Sequence, residues 1–258
     1  MSKAPTASKK LSSKKKQKKK KPKDLRARFD EFRMAMRLRF RPRVVTLHGV
    51  RVPTDPALIP EEIIDLVYTG RYERAEAELC REVLRPEDRV LELGAGIGFM
   101  GSLCAKICGS GRVLTYEANT GVEPVIRRTH KLNRVSPELR MRAIAATSGE
   151  STFYFNDNII SSSLIDRDFG GARPVASDSF ADVVEAFRPT VIVCDIEGAE
   201  VDVLPSADLR GVDRLVIELH PKIVGEESNE RLISDLAEQG LHFDRGKTSK
   251  VALFVRRT

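Results

Sequence analysis

Glu92 stands two residues before the first of three glycines, Gly94, Gly96 and Gly98, in the run Val90-Leu91-Glu92-Leu93-Gly94-Ala95-Gly96-Ile97-Gly98. Glycines at alternate positions let a backbone turn sharply and approach a ligand where a Cβ would collide, and a helix beginning there points free N–H groups at the same place. Such a turn is built to hold a nucleotide. A dinucleotide fold uses it for a pyrophosphate and wants glycine at the sixth position of G-x-G-x-x-G, but that position is Phe99. A carboxylate at Glu92 repels a pyrophosphate and suits the cationic amino-acid end of S-adenosylmethionine. Glu92, Gly94, Gly96 and Gly98 therefore read as a methyl-donor site, against the plain alternative of a tight strand-to-helix connection.

Three further groups could do chemistry beside it. Glu117 ends the run Leu114-Thr115-Tyr116, some twenty residues past the turn, where an acid at a strand tip accepts hydrogen bonds from both ribose hydroxyls. Asp195 and Glu197 follow the run Val191-Ile192-Val193-Cys194 and lie on one side if the chain stays extended. They could hold the donor's positive end, hold or deprotonate a substrate hydroxyl, or ligate a divalent cation; a helix N-cap is the competing reading for at least one of them. His220 follows Val216-Ile217-Glu218-Leu219 and precedes Pro221. With an ordinary pKa of about 6.5, an imidazole there suits proton removal near neutrality.

Positioning these groups requires alternating strands and helices. Apolar runs predict strands over 89–93, 112–116, 139–145, 190–194, 213–218 and 250–256, with a short one at 241–244. Helices are predicted over 98–108, 121–133, 178–187 and 227–238. The alternation argues an α/β fold, a mostly parallel sheet with helices on both faces, and the two closely spaced final strands make one of them antiparallel. Ligands of such a sheet sit beyond the carboxyl ends of its strands. Between Thr152 and Gly171 the rhythm breaks, which suits a substrate-contacting excursion.

Upstream, Leu25, Phe29, Phe32, Met36 and Phe40 recur at helical spacing until Pro42, with Arg26, Arg33, Arg37 and Arg41 opposite. Stripes of this kind are most often core, so packing on the main domain is expected, with docking on anionic lipid or nucleic acid as the alternative. Val44–Leu47 and Val50–Val52 flank His48-Gly49 as a short hairpin, and helical segments follow over 61–66 and 75–84.

The 258 residues carry a formal charge of +7. Residues 1–23 hold eleven lysines and no acid, leaving −4 for the rest, so the basicity says nothing of what the body binds. The tail lacks the apolar residues that folding needs and is expected to be disordered. Polyanion attraction, a localisation signal and simple solubilisation all remain open for it. Cys80, Cys104, Cys108 and Cys194 form no C-x-x-C pair and have no histidine at ligand spacing, which argues against zinc and fits buried thiols in a reducing compartment. No residue set has a clean metal-ligand spacing, so a divalent metal is left open without support and no ligands are assigned. Neither a membrane-length apolar run nor a signal-peptide core occurs, which predicts a cytoplasmic protein.

From about Tyr72-Glu73 onward the chain resembles the FkbM family of S-adenosylmethionine-dependent methyltransferases. The resemblance is carried by the glycine turn, Tyr116-Glu117-Ala118-Asn119, Ser161-Ser162-Ser163-Leu164, Asp195-Ile196-Glu197-Gly198-Ala199-Glu200 and Glu218-Leu219-His220-Pro221, in that order. The D-I-E-G-A-E element is the specific one. The resemblance implies a Rossmann-like class I methyltransferase sheet of seven strands, and S-adenosylmethionine bound at Glu92, Gly94, Gly96 and Glu117, to which the glycine turn adds Gly98. It also implies O-methylation of a hydroxyl on a sugar or secondary metabolite; the residues themselves then place Asp195, Glu197 and His220 on the acceptor side. Two departures stand out: Glu92 and Gly96 replace the Asp and Asn of D-x-G-A-N-x-G, and Cys194 replaces a lysine before the D-I-E-G element. The expected organisation is a tail over 1–23, a helix-and-hairpin extension over 24–86 and a methyltransferase domain over 87–258. A nicotinamide-dependent oxidoreductase is opposed by Phe99 and Glu92. A nucleic-acid-directed or non-catalytic binding module that uses the basic tail remains the rival reading.

Overall fold

The computed structural model describes residues 25–154, 171–248 and 250–257. The lysine tail, Ser161-Ser162-Ser163-Leu164 and most of the expected excursion lie outside the described residues. In chain order the elements are α1 (Leu25–Phe40), β1 (Val44–Leu47), β2 (Val50–Pro53), α2 (Glu61–Thr69), α3 (Arg74–Val83), β3 (Val90–Leu93), α4 (Phe99–Cys108), β4 (Val113–Tyr116), α5 (Glu123–Asn133) and β5 (Glu138–Arg140). There follow β6 (Ala143–Ala145), β7 (Gly149–Tyr154), β8 (Ala172–Ser179), α6 (Phe180–Phe187), β9 (Val191–Cys194), α7 (Glu200–Val203), β10 (Arg214–Glu218), α8 (Pro221–Val224), α9 (Glu226–Glu238), β11 (Leu241–Gly246) and β12 (Val251–Arg256).

Seven strands form the central sheet in the order β11-β12-β10-β9-β3-β4-β5. Every pairing from β10 to β5 is parallel, and only β12 runs against its neighbours. Because side chains alternate along a strand, the central strands feed two cores. Val90, Val113, Val191, Val193 and Val216 pack on one face with α3, α4, α5 and the β1–β2 hairpin. Leu91, Leu93, Leu114, Ile192, Leu215 and Ile217 pack on the other with α6, α7 and α9. The extension shares the first core: Ile64, Val67, Tyr68 and Leu79 are buried together with Phe99 and Leu103.

Three expectations need correction. The strand foreseen over 139–145 is two strands in different sheets. Arg142 Nε donates to Asp178 Oδ1 at 2.7 Å and draws the chain away after β5, so that β6 joins β8 and β7 in a separate three-stranded sheet. The helix foreseen from 178 begins at Phe180, after Ser179 accepts from the Asp182 amide as N-cap. The residues before it form β8, which has no apolar alternation and is held by pairing on both sides. Finally, the stripe of α1 does not pack on the body. Phe29, Phe32, Met36 and Phe40 are 62%, 60%, 42% and 67% exposed. The helix is held instead through Arg37, which donates to the Thr46 carbonyl at 2.9 Å, and through Arg41 just beyond its end, which pairs with Glu61. Leaving such side chains in water forgoes about 1.5–3 kcal/mol each.

Candidate functional site

Register brings the candidate residues together. Leu93 is level with Tyr116 on one side and Cys194 on the other, and Cys194 is level with Ile217. The next residue of each strand is therefore Gly94, Glu117, Asp195 or Glu218, at one edge of the sheet. The chain leaves β3 for β4 and β5 on one side and returns to β9 and β10 on the other, so β3 and β9 flank the switch point where open α/β sheets bind ligands.

At that point two glycines are required. A Cβ on Gly94, at φ +89°, would lie 1.9 Å from the Asp195 carbonyl oxygen, so the two strand tips touch backbone to backbone. A Cβ on Gly96, at φ +53°, would lie 2.7 Å from Tyr72 Oη, a hydroxyl that is buried without a hydrogen-bond partner. Gly98 occupies the N-cap position of α4. Glu117 closes the other side: its Oε2 accepts from the Gly96 amide at 3.0 Å and its Oε1 from the Asn119 amide at 2.8 Å. Burial raises its pKa, against the pull of these amides.

Glu92 lies elsewhere in the turn's surroundings. It is 1% exposed, sealed between β3, β4 and α4, and its Oε2 accepts from Thr115 Oγ1 at 2.7 Å. Its Oε1 is buried without a partner, and burial pushes its pKa up to about 7.

Across the tip, His220 is 4% exposed. Its Nδ1 lies 2.9 Å from Oε1 of the fully buried Glu200. With Nδ1–H donating to that carboxylate, Nε2 has a lone pair whenever the imidazole is neutral. That Nε2 lies 3.6 Å from both Asp195 Oδ1 and Glu197 Oε2. Burial alone would lower the imidazole pKa, but Glu200, Asp195 and Glu197 outweigh it and hold it above 6.5. Asp195 is pushed well above the usual carboxylate range by burial and by Glu218 and Glu197, and its Oδ1 has no hydrogen-bond partner. Neither Asp195 nor Glu197 caps α7, whose N-cap position is Ala199 without a side-chain bond; the Gly198 amide instead donates to Glu200. The chain turns at Glu197 with φ +54°, which keeps both acids at the tip.

Several residues here escaped the sequence reading. A cavity of about 650 Å³ is lined by Tyr72, Glu73, Glu76, Asp195, Glu218 and Lys250, among others. Burial holds Glu73 well above the usual range and pushes Glu76 up to about 7. Glu200 and Glu218 lie inside motifs already quoted, so chain proximity to Glu197 and His220 could have flagged them; Glu76 carries no such signal. Among the described residues, Asp195, Glu218 and His220 each offer one ligand atom, and the three atoms lie within 4.8 Å of one another. Two oxygens and an imidazole of this kind suit a divalent cation.

No family model matches the sequence, and no curated protein matches it. Solved structures with similar folds include a ribosomal protein L11 methylase from Lactobacillus delbrueckii subsp. bulgaricus, 12% identical over 73% of this chain and 80% of that one, TM-score 0.45. A precorrin-6y C5,15-methyltransferase from Geobacter metallireducens GS-15 is 13% identical over 80% of this chain and 94% of that one, TM-score 0.46. A methyltransferase FkbM from Methylobacillus flagellatus KT is 15% identical over 77% of this chain and 56% of that one, TM-score 0.42. None of these likenesses speaks to substrate or chemistry. The strand order itself, with one antiparallel strand next to an edge, is that of the Rossmann-like methyltransferase fold. No helix of the described residues is long and apolar enough to cross a membrane.

Proposed function

We propose that the chain is an S-adenosylmethionine-dependent methyltransferase that transfers a methyl group to a hydroxyl oxygen of a small molecule such as a sugar. The observation that carries this reading is the bond from the Gly96 amide to Glu117, which makes the glycine turn and the acid after β4 one site, and Gly94 in turn touches Asp195, whose side chain lies beside the buried His220.

The residues fit the donor. Tyr72 Oη, beside Gly96, is a buried polar atom without a hydrogen-bond partner. When bound, S-adenosylmethionine supplies an electrophilic methyl on a sulfonium. Glu117 would accept the ribose hydroxyls with its remaining lone pairs. Gly94, Gly96 and Gly98 would admit the amino-acid end, and Glu92, held by Thr115, would contribute its charge from beneath the turn.

Asp195 and Glu197 would orient the acceptor hydroxyl, and His220 Nε2 would take its proton. Glu200 would then stabilise the imidazolium through Nδ1–H, as a carboxylate behind a general-base histidine does. Alignment of acceptor and donor is the larger contribution, since oriented reactants avoid most of the entropic barrier.

Incubation of the full chain with methyl-labelled S-adenosylmethionine and fractionated small metabolites tests this reading. The label should appear in an ether linkage on a small molecule. Label found only in RNA or protein, or on nitrogen or carbon, would overturn it.

A further inference from the structure

Six large apolar side chains are exposed among the described residues, and five of them, Phe29, Phe32, Met36, Leu38 and Phe40, lie on α1. Phe29, Phe32, Met36 and Phe40 follow one another at steps of three and four, so they form one line along a 16-residue helix. Scattered apolar residues need no explanation, but a continuous line does. The helix cannot simply roll over to bury it. Arg37 is tied to the Thr46 carbonyl, Arg41 pairs with Glu61, and the Arg41 guanidinium sits 5.3 Å from the centre of the Tyr68 ring.

The chain that leads into this helix decides what covers the line. Residues 1–23 carry eleven lysines and no acid, while the remainder sums to −4. We propose that the exposed face of α1 docks on an anionic lipid bilayer, with its aromatic line in the headgroup boundary and the preceding lysines beside the lipid phosphates. An apolar helix face with an adjoining polybasic run supplies the two signals that stable surface anchoring needs, since either alone gives only weak, reversible binding. A second copy paired in parallel is disfavoured on charge, because it would bring two lysine runs together. Nucleic acid would be met by lysines alone, leaving the aromatic line in water. This inference is independent of the methyl-transfer reading.

Co-sedimentation of the full chain with phosphatidylcholine vesicles, with and without about 30% phosphatidylserine, tests it. Binding is expected to the anionic vesicles and to be at least tenfold weaker on the neutral ones. The triple variant Phe29→Ala, Phe32→Ala, Phe40→Ala should lose tenfold or more on anionic vesicles, and deletion of residues 1–23 should abolish the preference for them. Because the three rings are exposed, the variant should keep the parent's Tm. Wild-type vesicle binding by the triple variant would overturn the proposal, as would no vesicle binding at all. So would a dimer in the absence of lipid that the triple variant dissociates, or duplex RNA binding that depends on the three rings.

Discussion

Glu92→Gln isolates a buried charge whose cost can be worked out. The folded-state pKa of Glu92 stands near 7 against an ordinary 4.5, and burial is the main cause. A raised carboxylate pKa means that the folded chain binds the proton more tightly than the unfolded chain. Below about pH 4.5 both states are protonated and the group costs nothing. As pH rises towards 7 the unfolded chain ionises first and stability falls, and above 7 the full cost is present. At about 1.4 kcal/mol per pKa unit, a shift of roughly two and a half units is worth about 3 kcal/mol. Glutamine keeps the acceptor for Thr115 Oγ1 and cannot ionise, so its stability lacks this slope. The amide leaves N–H groups unpartnered where Oε1 is now, which moves the variant's whole curve down by about 1–3 kcal/mol without changing its dependence on pH. The measurement is chemical unfolding of both proteins, without donor, from about pH 5 to pH 8.5. The difference between variant and parent should move in favour of the variant by about 3 kcal/mol across that range, on the order of 10 °C in Tm. Parallel curves, with a difference constant to within about 1 kcal/mol, would refute the account of Glu92.

Glu117→Ala should weaken S-adenosylmethionine tenfold or more by calorimetry, because it removes charge-assisted bonds worth about 1.5–3 kcal/mol each; a dissociation constant within twofold of the parent's would withdraw the ribose assignment. His220→Ala should lower kcat at least tenfold with donor affinity nearly intact. In the parent the rate should rise with pH through a value above 6.5, where Nε2 loses its proton; a rate that falls through this range, or a fully active variant, would return His220 to a structural role. Gly96→Ala costs about 1–2 kcal/mol at a φ of +53°, and its Cβ must push Tyr72 Oη away from 2.7 Å, so donor binding should weaken as this side of the turn shifts. Gly94→Ala meets a backbone oxygen at 1.9 Å and should fail to fold stably. If both variants bind donor normally, the turn is not the site.

The strand tips were legible because short apolar runs that end in acids or glycines announce parallel strands and their carboxyl ends together. That is how Glu117, Asp195, Glu197 and His220 could be set on one edge before any coordinates. The same alternation rule puts Glu92 on the opposite side from Leu91 and Leu93, towards α4, a consequence of period two that the glycine pattern overshadowed. Tyr72, Glu73 and Glu76 were not legible, because they reach the cavity from outside the sheet through packing of the extension. The periodicity of α1 marks a stripe but does not say what it faces, and here two arginine contacts decide against the core. For β8, pairing with β6 and β7 makes a strand from residues with no strand-like pattern.

The central claim is that the crevice beyond β3 and β4 holds S-adenosylmethionine and not a dinucleotide. Calorimetric titration of the full chain with S-adenosylmethionine and, separately, with NAD tests it most directly. The account predicts one molecule of S-adenosylmethionine bound per chain and no heat from NAD beyond dilution. Saturable binding of NAD with none of S-adenosylmethionine would contradict it.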